Sequence, residues 1–254
     1  MTTRGRAAAV GGTAVAAGVG AAIYQGQYPT AQHYGPTIHR ERAAGRRMAL
    51  TFDDGPNPEL TPRLMDLLAR HHAKATFFLI GRWAEREPGL IRELVAAGHA
   101  IGNHTHTHPT MPAHGAERIR DELRRCREAV EASGERFSTV DGAALMRPPY
   151  GRRRPWTLRT MREEDYVPVT WSITGYDWRA HTTAKRITRR CNRAKEGDII
   201  LLHDGSSTEP AADRHKSIET VEALLEHFGP QGYAFVTVPA LVDAARAAGA
   251  GGPR

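Results

Sequence analysis

Cysteine is scarce in this chain of 254 residues, which contains only Cys126 and Cys191. At most one disulfide can form between them, so a scaffold held together by several disulfides is excluded. Each cysteine lies in a charged segment of helical character, which predicts two buried or half-buried thiols. A single disulfide is the alternative if the protein is exported. Cysteine spacing typical of a zinc finger is absent as well, which argues against a finger that binds nucleic acid.

Long hydrophobic runs, short repeats and heptad arrays are also absent after residue 24. Before it, Arg4 and Arg6 precede the uncharged, small residues 7–24, a pattern typical of a secretory signal peptide or an N-terminal membrane anchor. The alanine and glycine content of this stretch makes it weakly hydrophobic for a stable membrane span. We therefore expect a signal peptide or anchor at residues 1–24, a polar linker at 25–45, one domain at 46–246 and a flexible tail at 247–254.

Acidic residues are in the minority, because 28 Asp and Glu face 35 Lys and Arg, giving a formal net charge of +7. Such a balance favours an acidic partner, such as nucleic acid, anionic lipid or a cell-wall polymer. The basic residues are scattered, and they do not form a stripe interleaved with aromatic side chains. We therefore predict no nucleic-acid partner.

Apolar segments of strand length alternate with amphipathic helical segments from Met48 onward. Seven segments have the composition of strands: RMALTF, KATFFLIG, HAIGNH, ALMRP, YVPVTWS, GDIILLHD and YAFVTV. This alternation predicts an α/β fold in which helices cover a parallel sheet. With about seven parallel strands and no obvious break, we expect a single domain built as a closed or nearly closed (β/α) barrel. An open doubly wound sheet is the alternative.

Polar side chains gather where the predicted strands end, which is where both folds carry their ligand sites. The residues in question are Asp53, Asp54, His104, His106, His108, Arg147, Asp177, His203 and Asp204. A random scatter would also place such residues on helices and at strand starts. The sequence therefore predicts one active site at this end of the sheet.

Three histidines at alternate positions, in NHTHTHP, indicate a metal site, because two imidazoles and one carboxylate leave positions open for water and substrate. On a helical turn His104 and His108 would point together without His106, whereas an extended strand would align all three. The spacing alone leaves both arrangements open. The adjacent Asp53 and Asp54 repel each other, and a bound cation would keep both ionised. We expect one to bind the metal and the other to hold the attacking water.

Five motifs in chain order carry a resemblance to a known family. They are TFDDGPNP, HTHTH, RPPYG, WSITGYDW and IILLHD. They resemble the motifs of the polysaccharide deacetylase family (carbohydrate esterase family 4, with a NodB-like domain) over roughly residues 48–244. The resemblance implies a distorted (β/α) barrel with residues 46–246 as the catalytic domain. It also implies a metal-dependent hydrolase that removes N-acetyl, or sometimes O-acetyl, groups from a sugar polymer.

The resemblance implies a role for the residues on the metal side of the site. Asp53 would be the general base, and Arg147 would pair with it and hold it ionised. The metal ligands would be Asp54, His104 and His108. His106 would then be the non-ligand, and the Thr105 hydroxyl would stiffen the loop.

On the opposite side, the resemblance implies that His203 is the general acid that protonates the leaving amine. Asp177 would orient His203 and raise its pKa, which is the direction expected from a carboxylate beside an imidazolium. The backbone N–H of Tyr150 would face the developing oxyanion. The walls of the acetyl pocket would be Trp178, Leu201 and Pro149.

The expected cofactor is zinc, with cobalt or nickel as alternatives suited to the same ligands. The expected substrate is an acetylated polysaccharide or oligosaccharide, and export together with the basic charge favours peptidoglycan. Chitin oligosaccharides, acetylated xylan and small cyclic amides are alternative substrates. We also expect a monomer that is secreted or held in the cell envelope, where the N-terminal segment would anchor it if it is not cleaved. Two rival hypotheses are an inactive sugar-binding relative and a non-haem iron oxygenase.

Overall fold

The computed structural model describes residues 26–250. The predicted leader at 1–24 lies outside the described residues, and so do residues 251–254 of the predicted tail. The strands are β1 (Arg47–Gly55), β2 (Ala75–Leu79), β3 (Ala100–Asn103), β4 (Thr139–Val140), β5 (Ala143–Met146), β6 (Tyr166–Pro168), β7 (Ile173–Thr174), β8 (Ile199–His203) and β9 (Ala234–Phe235). The α-helices are α1 (Leu60–Arg70), α2 (Gly81–Ala84), α3 (Pro88–Ala96), α4 (Ala116–Glu131), α5 (Pro155–Glu163), α6 (Ala184–Cys191), α7 (His215–Phe228) and α8 (Val238–Ala250).

The strands form an irregular ring. Parallel pairing runs from β8 through β1, β2, β3 and β5 to β6, and β7 pairs with β8 in turn. Because β6 and β7 belong to one stretch of the chain, residues 166–174, this stretch closes the ring. The predicted strand YVPVTWS is thus shorter than expected, because only its first three residues form β6 and β7 begins just after its last residue. The expected α/β barrel of mostly parallel strands is confirmed, with β4 as an added antiparallel hairpin partner of β5.

Side chains alternate between the inside and the outside of the ring, as the two-residue period of a strand requires. Along β1, Met48, Leu50 and Phe52 pack in the larger core cluster beneath the outer helices. Ala49 belongs to a second cluster inside the ring, together with interior residues of β2, β5 and β8. Asp53 continues this inward-facing row, so the alternation itself delivers its carboxylate to the mouth of the barrel.

The opposite end of the ring is closed by α8. Val238, Leu241 and Val242 join the interior cluster, and the Val238 N–H donates to the Thr76 hydroxyl. Apolar side chains therefore fill one end, whereas the end at which the parallel strands finish carries polar residues. This is the distribution expected of a barrel whose ligand site lies at the carboxyl ends of its strands.

The segment predicted to be a linker packs against the barrel over the part that the structure describes. Ile38 forms a parallel bridge with Val169, and the Thr37 and Thr170 hydroxyls lie 3.1 Å apart. Fully buried Arg153 donates to the carbonyls of Tyr28, Pro29 and Ala31. Its guanidinium thus satisfies backbone acceptors that no regular structure pairs, which explains why polar, turn-rich sequence is ordered here.

Cys126 and Cys191 are both buried and free, so the single-disulfide alternative is not realised. Burial raises the pKa of each thiol to about 12, which leaves both protonated at neutral pH. Within residues 26–250, no helix combines the length and the hydrophobicity needed to cross a bilayer.

Candidate metal centre and active site

The two adjacent aspartates diverge because the strand is irregular between them. The register of β1 against β2 shifts between Asp53 and Gly55, and Asp54 adopts a left-handed conformation with φ of 72°. A bulge of this kind re-aims one side chain relative to its neighbour. Asp53 therefore stays in the inward row of β1, while Asp54 turns toward the loop that follows β3.

Asp54, His104 and His108 converge on one point. The Asp54 Oδ1 lies 3.6 Å from His104 Nε2 and 3.3 Å from His108 Nε2. One ligand atom from each of the three buried residues lies within 4.8 Å of the other two. His106, by contrast, points away, and its Nε2 lies 2.8 Å from a guanidinium nitrogen of Arg125. The structure thus brings together the predicted ligand trio and leaves the predicted non-ligand outside it.

The protonation states of the cluster suit a cation. His104 Nδ1 lies 2.7 Å from the carbonyl oxygen of Arg147, which can only accept, so Nδ1 carries the proton and Nε2 presents its lone pair to the cluster. Burial, aided by His108, lowers the pKa of His104 to about 3, and burial also lowers the pKa of His108. Both imidazoles are therefore neutral, as metal ligands must be.

One atom of the cluster is left without a partner by the described part of the chain. The Asp54 Oδ1 is buried and has no hydrogen-bond partner there, a situation that native proteins normally avoid. Two neutral imidazoles and a carboxylate match the donor set of catalytic zinc sites, which keep a position open for water. The residues present therefore fit a divalent cation.

Asp53 lies beside this cluster, and Arg147 fixes the orientation of its carboxylate. An Arg147 guanidinium nitrogen lies 2.7 Å from Asp53 Oδ1, and the same group contacts the Thr51 hydroxyl and the Thr170 carbonyl. Burial raises the pKa of Asp53 above its usual value, and the Arg147 charge opposes but does not outweigh this effect. The predicted pairing is present; its principal consequence is orientation, and burial makes the carboxylate a stronger base.

His203 faces Asp53 from the neighbouring strand, because the two residues are register partners in the β1–β8 ladder. Its Nδ1 lies 2.9 Å from Asp177 Oδ1, while Asp177 Oδ2 accepts from the His203 N–H and the Ser217 hydroxyl. Burial alone lowers the pKa of His203, but Asp177, followed by Asp54 and Asp53, raises it to about 9. His203 is therefore positively charged at neutral pH and able to donate a proton.

A cavity of about 280 Å³ opens onto these groups. Of the predicted wall residues, Trp178 and Leu201 line this cavity. The Tyr150 side chain also lines it, and the centroid of its ring lies 4.6 Å from that of His108. Pro149 is buried within the turn Pro149–Gly151, and Tyr150 takes its place at the cavity. Lining residues that the sequence did not single out are Trp171, Ser206, Ser207 and Arg214.

The signals for these additional residues differ. Ser206, Ser207 and Arg214 belong to the polar segment after His203, and a polar composition of this kind is typical of a loop that shapes a groove. Trp171 lies within the predicted strand YVPVTWS and carried no signal, because a buried aromatic residue in a strand is ordinary core. The fold and the site together define a metallohydrolase built on an irregular (β/α) barrel.

Comparison with known proteins identifies the group to which this hydrolase belongs. A sequence profile of the family described as polysaccharide deacetylase matches residues 40–169. The peptidoglycan-N-acetylglucosamine deacetylase of Bacillus cereus is 35% identical over 199 residues, covering 77% of this chain and 87% of that protein. The chitooligosaccharide deacetylase of Sinorhizobium fredii is 35% identical over 190 residues, covering 74% and 86% respectively.

Solved structures agree. The crystal structure of the Bc1960 peptidoglycan N-acetylglucosamine deacetylase, in complex with an N-hydroxybenzamide, superposes with a TM-score of 0.70 at 30% identity. The match covers 80% of this chain and 91% of that one. The chain belongs to the polysaccharide deacetylase family, and the predicted resemblance is confirmed.

Proposed function

We propose that this chain is a metal-dependent hydrolase that removes acetyl groups, mainly N-acetyl groups, from a cell-wall or extracellular polysaccharide. One observation carries the proposal: Asp53 lies between the Asp54–His104–His108 cluster and Arg147, with His203 as its register partner on the adjacent strand β8. A base, a cation site and an acid thus share one cavity, which is the equipment that amide hydrolysis needs.

A divalent cation held by Asp54, His104 and His108 would supply Lewis-acid polarisation and lower the pKa of water toward about 7. Asp53 accepts the proton of the attacking water, and Arg147 keeps its carboxylate in one orientation. The Tyr150 backbone N–H is proposed to stabilise the negative charge that develops on the acetyl oxygen. Trp178 and Leu201 are proposed to enclose the acetyl methyl group.

His203 completes the reaction. Water oxygen bonds to the acetyl carbon, the C–N bond breaks, and the nitrogen leaves as an amine after taking a proton from the imidazolium. Asp177 supports this step because its carboxylate, 2.9 Å from Nδ1, keeps the ring charged and fixes its direction. The products are acetate and a free amino sugar.

We propose peptidoglycan as the polymer and zinc as the cation. The net charge of +7 favours an anionic wall polymer, and the named Bacillus cereus relative is a peptidoglycan deacetylase. Chitin oligosaccharide is the second candidate, since the Sinorhizobium relative is named for it. The basic and then apolar N-terminal stretch supports a protein that is secreted or anchored in the cell envelope. A monomer suffices, because every proposed catalytic residue comes from one chain.

Variants at the two aspartates test the division of roles. Asp54→Ala and His104→Ala should abolish bound metal, measured by elemental analysis of the purified protein. Asp53→Asn should retain metal and lose deacetylation. His106→Ala should retain metal, because its imidazole pairs with Arg125. Equal metal loss in the Asp53 and Asp54 variants would contradict the assignment.

The substrate is tested by acetate release from peptidoglycan, chitin oligosaccharides and acetylated xylan, each with and without a chelator. We expect release from peptidoglycan to be the fastest and to stop when the metal is removed. Chelator-resistant release, or none from any N-acetylated polymer, would overturn the proposed function.

A further inference from the structure

In the loop that carries both histidine ligands, side chains accept most of the hydrogen bonds that the backbone N–H groups donate. Its five backbone N–H groups, from His104 to His108, all donate. The first donates to the Leu79 carbonyl at 2.9 Å. The acceptors of the other four are Asn103 Oδ1 at 2.7 Å, Glu122 Oε2 at 3.0 and 2.7 Å, and Thr105 Oγ1 at 3.0 Å. The start of α2 also supports the loop, because the Gly81 and Arg82 N–H groups donate to the Thr105 and His106 carbonyls at 3.0 and 3.2 Å. Four of the five loop N–H groups nevertheless depend on side-chain acceptors, so these side chains contribute to the loop conformation.

Glu122 accepts two of these hydrogen bonds and is the one side-chain acceptor among them that comes from another helix. It lies on α4 and is fully buried. Its Oε2 accepts from both the His106 and the Thr107 N–H, and its Oε1 accepts from the Thr107 hydroxyl at 2.7 Å. Arg118, one turn earlier, lies 2.7 Å from Oε1 and balances the charge.

The loop needs these stabilising hydrogen bonds because its backbone conformation is unfavourable by itself. Thr105 and His108 both have positive φ, at 66° and 62°, and residues other than glycine persist in that region only when their surroundings enforce it. Hydrogen bonds to a carboxylate are stronger than those between neutral groups. Releasing the His106 and Thr107 N–H groups would therefore let the loop relax and move His108 away from Asp54.

We propose that Glu122 is a positioning residue that pre-forms the metal site by holding the His104–His108 loop in its binding conformation. The inference rests on the proposed function in that it takes the Asp54–His104–His108 cluster to be the cation site. Glu122 itself touches neither the cation position nor the substrate cavity. Its effect is transmitted through the backbone of residues 106 and 107.

Two substitutions separate positioning from a long-range effect of charge. Glu122→Gln keeps the reach of the side chain: its amide oxygen can accept from both N–H groups, while the amide NH₂ meets the Thr107 hydroxyl, which can accept. The Arg118 guanidinium loses its acceptor at Oε1, and because this side chain is exposed it can turn to solvent. Glu122→Asp keeps the charge but withdraws the carboxylate by about 1.5 Å, the length of one carbon–carbon bond. Positioning predicts that the aspartate variant is the more damaged, whereas simple attraction of the cation predicts the reverse.

The test measures Zn²⁺ affinity by competition with a chromophoric chelator. We expect Glu122→Asp and Glu122→Ala to bind about 10- to 100-fold more weakly than the wild type, the range found for residues that orient metal ligands. Glu122→Gln should stay within about threefold. Val130→Ala is the matched control, since it removes buried volume from the same helix away from the loop and should lower thermal stability without changing affinity.

Hydrogen exchange of the metal-free protein gives a second readout. The His106 and Thr107 amides should exchange faster in Glu122→Asp than in the wild type, with the amides of α4 unchanged, and this difference is measurable even if Glu122→Ala does not fold. Wild-type affinity and exchange in Glu122→Asp, or weaker binding by the glutamine variant than by the aspartate variant, would overturn the inference. Absence of Zn²⁺ binding by the wild type would instead overturn the proposed function.

Discussion

Replacing Asp177 by Asn should change the pH dependence of catalysis more than its maximum. Asp177 is the main group that raises the pKa of His203 to about 9 against the opposing effect of burial. In the variant, the amide oxygen takes the position of Oδ2, because it must accept hydrogen bonds from the His203 N–H and the Ser217 hydroxyl. Its NH₂ group then faces Nδ1, which cannot stay protonated. The pKa of His203 should fall to its ordinary value near 6.5 or below.

The magnitude follows from the protonated fraction of His203. At pH 7 this fraction falls from nearly all to about a quarter, which is a loss of about fourfold in kcat. At pH 8 it falls from about nine-tenths to about 3%, a loss of about 30-fold. Acetate release from an N-acetylated oligosaccharide, followed from pH 6 to 9, should therefore show a deficit that grows with pH.

An activated acetate ester provides the control substrate, because its leaving group needs no proton. The Asp177→Asn variant should therefore lose little activity on this ester. Asp213→Asn provides the control protein, since Asp213 pairs with His215 in the same way but at the exposed surface. Its pH profile should match that of the wild type. Parallel profiles for wild type and Asp177→Asn, or equal losses on amide and ester at every pH, would refute the role of His203 as the acid.

The same pair should affect stability. Because the pKa of His203 is higher in the folded protein than in the unfolded chain, its contribution is fully present below pH 6.5 and lost as pH rises through about 9. The difference between these values corresponds to about 3 kcal/mol. Denaturant unfolding of the metal-free protein at pH 6 and pH 9 should detect this loss in the wild type and find it much reduced in Asp177→Asn.

Two other substitutions test the packing around the site. Gly81→Ala should weaken Zn²⁺ binding and cost about 1–3 kcal/mol, because its Cβ would lie 2.6 Å from His106 Nδ1 and 2.8 Å from Cys126 Cα. Gly89→Ala, which meets only a distant arginine atom at 3.9 Å, should be neutral or slightly stabilising in the same titration and melt. Arg153→Met should cost about 3 kcal/mol and expose residues 26–31 to proteolysis, because buried carbonyls lose their donor. Unchanged unfolding and cleavage would contradict that role.

The residues gathered at the strand ends were predictable, because the carboxyl ends of parallel strands must meet and each of the five motifs includes or follows the end of a strand. The direction of each side chain was not. Asp53 and Asp54 diverge because of a bulge in β1, and His106 points away from the other two histidines in a loop where Thr105 and His108 are left-handed. Such local irregularities leave no trace in hydrophobic periodicity, and only the family resemblance distinguished the ligands from the non-ligand.

Other features depended on contacts between distant parts of the chain. Residues 26–45 have the composition of a linker, and they pack against the barrel through residues more than 100 positions away, among them Arg153 and Val169. YVPVTWS reads as one strand, yet only residues 166–168 form β6, which pairs with β5, whereas the Ser172 N–H donates to the Ile199 carbonyl of β8. Glu122 looks like one more charge on an amphipathic helix, because its burial follows from how α4 crosses the loop. Periodicity reports which face of an element is apolar, but it does not report which polar group another element will cover.

The placement of Asp53 and His203 as partners across adjacent strands bears on how this scaffold can be engineered. Neighbouring strands are held about 4.8 Å apart by main-chain hydrogen bonds, so the spacing of proton acceptor and proton donor is set by the sheet. The segment from Ser206 to Arg214 contributes to the cavity wall without belonging to that ladder. Randomising this segment should therefore yield catalysts with new polymer preferences whose proton-transfer geometry is inherited intact.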